Sequence, residues 1–165
     1  MRNKMCLSVI LSVVCVVGCG GPVDENSHKI AQWAIDAGGK LTIADHTLNF
    51  SSMEDLPADA FGITGVDLQG TKIKNEDLEQ LVELKSIRYL GLHSTTIDDA
   101  AISTIVKLKS LERLELSNTL ITDKGLKQLD GLPKLRKLYI SNTAATQEGV
   151  DALKKKLQNC EVMYF

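Results

Sequence analysis

Three histidines and four cysteines are the residues of this chain with the most chemistry to offer, and their spacing assembles no reaction centre. His28, His46 and His93 stand far apart, with no paired spacing for a metal and no cysteine beside them. Asp98-Asp99 and Asp123 precede stretches of helical periodicity, where a carboxylate accepts hydrogen bonds from free backbone N–H groups, so their expected use is structural. Cys160 follows Gln158-Asn159 and reads as a half-buried structural thiol rather than a nucleophile. There is no serine-nucleophile motif and no glycine-rich phosphate loop, and Gly38-Gly39 reads as a helix stop. No catalytic residue, metal or cofactor is therefore expected. What remains is recognition: Tyr89, His93, Arg113, Glu115, Lys137 and Tyr139 mix aromatic and charged groups of the kind enriched at binding hot spots. The plainer reading of the same residues is a sheet surface chosen for compatibility between neighbouring strands.

The elements that position these residues follow from an internal repeat. Four segments superimpose without a gap at a 24-residue spacing, beginning at Ile63, Ile87, Leu111 and Leu135. Positions one, four and six are apolar in each, and position nine is Thr71, Thr95, Thr119 or Thr143. Polar or variable residues alternate with apolar ones over positions three to seven. That period predicts a short strand with positions four and six inward and three, five and seven on the opposite face. The threonine hydroxyl can satisfy backbone groups of the turn that follows. Helical spacing then appears, as in Leu78, Leu81, Leu84 and in Ile102, Ile105, Leu108, with Asn75, Asp98, Thr122 and Thr146 as expected caps. A single repeat of this length cannot bury enough apolar surface to offset its ordering entropy, so stacking is obligatory.

This pattern resembles the leucine-rich repeat, with Thr where the usual form has Asn or Cys. The resemblance implies an α/β solenoid with a parallel β-sheet on its concave face and helices on its convex face. Residues 63–158 would form four repeats, with Tyr89, His93, Arg113, Glu115, Lys137 and Tyr139 on the concave face. Five strands give that face roughly 300 Å² in plan, against about 800 Å² per partner in a standard protein interface. A protein would therefore use flanks as well, whereas a peptide or glycan segment would fit the face itself. Both ends need covers. Residues 28–62 are expected to supply one: a helix capped by Ser27 and bearing Ile30, Trp33, Ala34 and Ala37, then a hairpin of Leu41–Ile43 with Leu48–Phe50 about Ala44-Asp45-His46. Residues 159–165 supply the other, as a closing strand.

The amino-terminal stretch has Arg2 and Lys4 before an apolar run from Met5 to Val17, too short to span a bilayer, and reads as an export signal over 1–18. Its end, Val16-Val17-Gly18-Cys19, resembles the bacterial lipobox, with Val where Leu is commonest three residues before the cysteine. The resemblance implies cleavage before Cys19, acyl chains on that residue, and a tether over 19–27 holding the domain near a membrane of the cell envelope; ordinary signal cleavage nearby is the alternative. Cys6 and Cys15 would leave with the signal, so only Cys160 would remain a thiol and packing alone would hold the fold. The formal net charge of −2 becomes more acidic once Arg2 and Lys4 are removed, which argues against nucleic-acid binding. The function expected is a non-catalytic, membrane-anchored interaction module for an unknown protein, peptide or glycan. A purely structural envelope component, or an intracellular adaptor resembling the repeats of ubiquitin-ligase substrate receptors, are the alternatives.

Overall fold

The computed structural model describes residues 24–44 and 49–165; the signal stretch, Cys19 and the hairpin residues Asp45, His46 and Leu48 lie outside the described residues. A helix, α1 (Ser27–Asp36), leads into a hairpin of β1 (Lys40–Ile43) and β2 (Asn49–Phe50). The repeats contribute β3 (Ile63–Asp67), β4 (Tyr89–Gly91), β5 (Arg113–Glu115) and β6 (Lys137–Tyr139), and β7 (Glu161–Met163) follows them. All seven form one sheet in the order β2-β1-β3-β4-β5-β6-β7. From β3 to β7 the pairing is parallel and unshifted, so Tyr89, Arg113, Lys137 and Glu161 stand side by side. The hairpin joins antiparallel at the amino end, with Leu41 opposite both Phe50 and Val66. The sheet is thus two strands wider than the parallel array expected from the repeats alone, because the cover extends it rather than only capping it.

Alternation within each strand places the core. Val66 and Leu68, Leu90 and Leu92, Leu114 and Leu116, and Leu138 and Ile140 are fully buried between the sheet and the second halves of the repeats. Those halves hold α2 (Asp99–Ile105), α3 (Asp123–Leu126) and α4 (Gln147–Lys156), whereas the first repeat forms a 3₁₀ helix over Asn75–Leu81. There the Asp77 carboxylate accepts from the Lys74 N–H, 2.8 Å away, while the Asp77 N–H donates to the Lys74 carbonyl, which tightens the first turn. Among the described residues, 24–165 contain both end covers and a continuous core from Ile30 to Leu153, as a capped repeat stack requires to fold.

The turn after each strand is built identically. The threonine at position nine donates its hydroxyl to the carbonyl three residues earlier, from Thr71 to Leu68, Thr95 to Leu92, Thr119 to Leu116 and Thr143 to Ile140. The residue before it is left-handed in every repeat: Gly70 at φ 66°, Ser94 at 57°, Asn118 at 55° and Asn142 at 53°. Asparagine and glycine tolerate that conformation best, so Ser94 holds the least favourable of the four turns.

The expected caps are met in part. Asp98, Thr122 and Thr146 accept from backbone N–H groups at the starts of α2, α3 and α4. Asn75 does not cap its own helix: its side chain reaches the next repeat, accepting from the Asp98 N–H and donating to the Asp98 carboxylate. Asp99 and Asp123 act likewise, each accepting from the backbone N–H and the hydroxyl of a threonine one repeat on, Thr122 and Thr146. Ser27 is no cap either. It is the first residue of α1, buried, and its hydroxyl accepts from the Phe61 N–H. Asp24 belongs to the fold rather than to a tether, since its buried carboxylate accepts from the N–H groups of Ile63 and Lys85.

The carboxylate links explain Gly125, where a Cβ would stand 2.3 Å from the Asp99 Oδ1. At Gly131 the nearest atom to such a Cβ is at 3.4 Å, an ordinary contact. In urea unfolding, Gly125→Ala is expected to cost about 1–3 kcal/mol, and Gly131→Ala to stay within about 0.5 kcal/mol of the parent or gain slightly. The bonds from the Thr146 N–H and then from its hydroxyl hold the Asp123 carboxyl below the usual aspartate range. A depressed folded-state value gives stability that is present above the unfolded pKa of about 4 and lost as pH falls from there through the lower folded-state value. Asp123→Asn is therefore expected to melt lower than the parent at neutral pH, and to lose less melting temperature than the parent between about pH 5 and about pH 3.

Candidate functional site

The open face of the sheet carries positions three, five and seven, and the unshifted register decides who meets whom there. Arg113 on β5 faces Tyr89 on β4, while Glu115 is paired with Tyr139 on β6, two residues further along. The Arg113 guanidinium consequently lies between two rings, 5.4 Å from the Tyr89 centroid and 4.9 Å from that of Tyr139. Its Nε donates to Glu115 Oε1 at 2.9 Å, and its Nη2 donates to the same oxygen. Glu115 is two residues from Arg113 on the same strand and so shares its face. Four of the six expected residues thus form one cluster of ring, cation, ring and carboxylate.

Tyr89 lies along the face over Gly91, where a Cβ would meet the tyrosine hydroxyl at 2.5 Å and Asp67 Oδ1 at 2.6 Å. Gly91 is needed for space: any side chain would lift the Tyr89 ring out of the cluster. Burial first, then the Asp67 and Glu115 carboxylates, push the Tyr89 phenol above the ordinary tyrosine range, against the opposing pull of Arg113. The phenol therefore stays protonated across the physiological range and offers a ring and a hydroxyl, never a phenolate.

The remaining two expected residues stand apart. His93, at position seven of β4's repeat, is half-buried and Lys137 is exposed; neither side chain makes a hydrogen bond, ion pair or ring contact among the described residues. Hollows lie away from the cluster, of about 410 Å³ between Asp24, Ile30, Glu83 and Lys85, about 420 Å³ between Glu112, Lys134 and Arg136, and about 500 Å³ beside Trp33, Gly70 and Asp77.

Other reactive side chains are engaged structurally. The His28 Nε2 is 2.9 Å from the Pro57 carbonyl, with its ring edge-on to Phe61. Burial pushes the Cys160 thiol up to about 11, with Glu161 adding to the shift, so it is not a thiolate at neutral pH. No group of three or more potential metal ligands occurs among the described residues, and no helix among them is long and apolar enough to cross a membrane. Sequence reasoning placed the cluster's members on one face but missed Asp67 and Gly91 as its supports; the signal was the glycine two residues after Tyr89, which leaves the ring room to lie down.

Comparisons with known proteins agree with this geometry. Residues 85–144 match the leucine-rich repeat family model. Among solved structures, the second actin-binding site of leiomodin-1 superposes with a TM-score of 0.51 at 21% identity, over 62% of this chain and 70% of that one. A leucine-rich repeat protein of Leptospira interrogans gives 0.42 at 23% identity over 52% of this chain, and an internalin of Listeria monocytogenes gives 0.40 at 20% identity over 55%. The match spans only 21% and 31% of those two longer chains. No curated protein matches the sequence. Its central sequence is similar to the leucine-rich repeat family over residues 85–144, and the parallel register from β3 to β7 gives the chain the α/β solenoid fold of leucine-rich repeats.

Proposed function

We propose that the chain is a non-catalytic interaction module, anchored through lipid on Cys19 to a membrane of the bacterial cell envelope, which docks a protein or peptide partner on its open sheet face. The observation that carries the docking reading is the Arg113 guanidinium held between Tyr89 and Tyr139 and tied to Glu115. Arginine and tyrosine are the residues that most often dominate binding energy, and their side chains lose much entropy when immobilised. Here that cost is met before any partner arrives, because each member is already positioned by its neighbours. A partner would stack on the outer faces of the rings and hydrogen-bond the phenol of Tyr139. Lys137 and His93 flank the cluster as adaptable charged and polar contacts.

The membrane reading rests on the sequence: the basic start, the short apolar run and Gly18-Cys19. Asp24, which is anchored in the fold, comes only five positions after Cys19, as a short tether to a membrane would require.

Two measurements test these readings separately. Intact mass of the protein extracted from membranes should show a chain beginning at Cys19 and carrying acyl chains; a chain retaining Met1, or cleaved elsewhere without lipid, would remove the anchor. Cross-linking in cells followed by capture should recover one defined partner. Tyr89→Ala with Tyr139→Ala should weaken that capture by roughly 30-fold or more, corresponding to about 2 kcal/mol at a hot spot. Unchanged capture by the double variant, with the fold intact by circular dichroism, would instead favour a structural role for the face.

A further inference from the structure

The two long edges of the solenoid differ in charge. Along the edge where the strands begin, position two of successive repeats is stacked by main-chain bonds, from the Arg88 N–H to the Thr64 carbonyl, the Glu112 N–H to Arg88 and the Arg136 N–H to Glu112. The loops entering those strands lie alongside, with the Ser110 hydroxyl donating to the Lys85 carbonyl at 2.6 Å and the Lys109 Nζ to the Gly131 carbonyl at 2.8 Å. The result is a row of exposed cations, Lys85, Arg88, Lys109, Lys134 and Arg136. Glu112 interrupts it and lies 4.0 Å from Arg88, and Glu25 and Glu83 flank its amino-terminal end by the Asp24 hollow. The opposite edge carries the inter-repeat carboxylates Asp98, Asp99 and Asp123 with Glu76 and Asp77, and these outnumber the exposed Lys72, Lys74 and Lys124 that stand among them.

The chain enters the fold at the basic edge. Asp24 is fixed there by the N–H of Ile63, the first residue of β3, and by that of Lys85 itself. We infer that this basic edge is a docking surface for an anionic phospholipid bilayer. The orientation rests on the lipidated Cys19 proposed above. With only residues 20–23 between Cys19 and Asp24, an extended tether spans roughly 15–18 Å. The strand-start edge is thus held within about two Debye lengths of the headgroups, with the acidic edge turned away. Each Lys or Arg near an anionic surface strengthens partitioning by about five-fold. Several together would hold the solenoid upright on the membrane, its open face presented sideways to partners in the same bilayer or just above it.

The test uses a chain beginning at Val23, which keeps the Asp24 clasp and the whole core, and sedimentation with phosphatidylcholine vesicles with or without about 30% phosphatidylglycerol. Partitioning onto the anionic vesicles only is expected, reversed at about 0.5 M salt, where screening is nearly complete. Lys85→Gln, Lys134→Gln and Arg136→Gln together remove no side-chain bond among the described residues, and should weaken partitioning by about 10-fold to 100-fold. Lys72→Gln, Lys124→Gln and Lys127→Gln, which remove the same charge away from this edge, should leave it within about two-fold. Equal partitioning onto neutral vesicles, no partitioning onto anionic ones, equal loss in both triple variants, or stronger capture by duplex DNA would each overturn the inference. Because this chain lacks Cys19, the outcome is independent of lipidation, and a failed anchor and a failed edge give different results.

Discussion

No repeat of this chain can complete its own hydrogen bonds. The N–H groups of Leu68 and Gly70 find their acceptors in Gly91 and His93, those of Leu92 and Ser94 in Glu115 and Ser117, and those of Leu116 and Asn118 in Tyr139 and Ser141. On the other side of the strand, the position-thirteen side chains Asn75, Asp99 and Asp123 satisfy the backbone N–H of position twelve one repeat later. Buried or half-buried polar groups left without partners cost more than a bond gains, so the stack is held to a strict period. One inserted residue would break the sheet ladder, the turn ladder and the carboxylate ladder at once. The absence of a gap over four repeats is the sequence record of that constraint.

The ends of the molecule show how the ladder is stopped. At the amino end the hairpin continues the sheet in the antiparallel sense, and the Asp24 carboxylate accepts from the N–H groups of Ile63 and Lys85, whose counterparts Leu111, Leu135 and Lys109 bond to nearby carbonyls of their own chain stretch. At the carboxyl end β7 accepts the last inward bond, from the Ile140 N–H to the Met163 carbonyl, and the Tyr164 hydroxyl donates to the Ala145 carbonyl. Gln147 occupies position thirteen of the last repeat and turns to Asp151 on its own helix instead of reaching onward. Both stops use side chains that differ from the repeat consensus, as the special demands of an end require.

What could be read from the sequence follows the same division between periodic and unique. The threonine turns, the inward leucines and the caps at Asp98, Thr122 and Thr146 were legible because four copies vote on each position. The carboxylate links were not, since an aspartate before a helix suits a cap equally well and nothing local distinguishes a bond to its own turn from one to the next. The left-handed position was visible only as the set Gly70, Ser94, Asn118, Asn142, whose shared tolerance of positive φ is a weaker signal than shared hydrophobicity. Ser27 failed as a cap because Phe61, distant in sequence, claims its hydroxyl. The cluster on the open face was legible as a set of neighbours by register, but its stacking depends on Gly91 leaving room and on Asp67 and Glu115 lying either side of Tyr89.

That cluster also limits what the face can recognise. Arg113 is neutralised by Glu115 on its own strand, and the Tyr89 phenol stays uncharged, so the centre of the face presents flat rings with little net charge. The recognition proposed for this face would rest on shape and stacking, with hydrogen bonds at the margin, rather than on long-range attraction. In the proposed membrane docking, long-range attraction would come instead from the edge that carries Lys85, Lys134 and Arg136, whose side chains remain exposed. A short solenoid with a small face gains from this separation of tasks. On the proposed membrane, orientation by that edge would reduce the rotational freedom that a weak face-on contact otherwise has to overcome, and would raise the effective concentration of a partner held in the same plane.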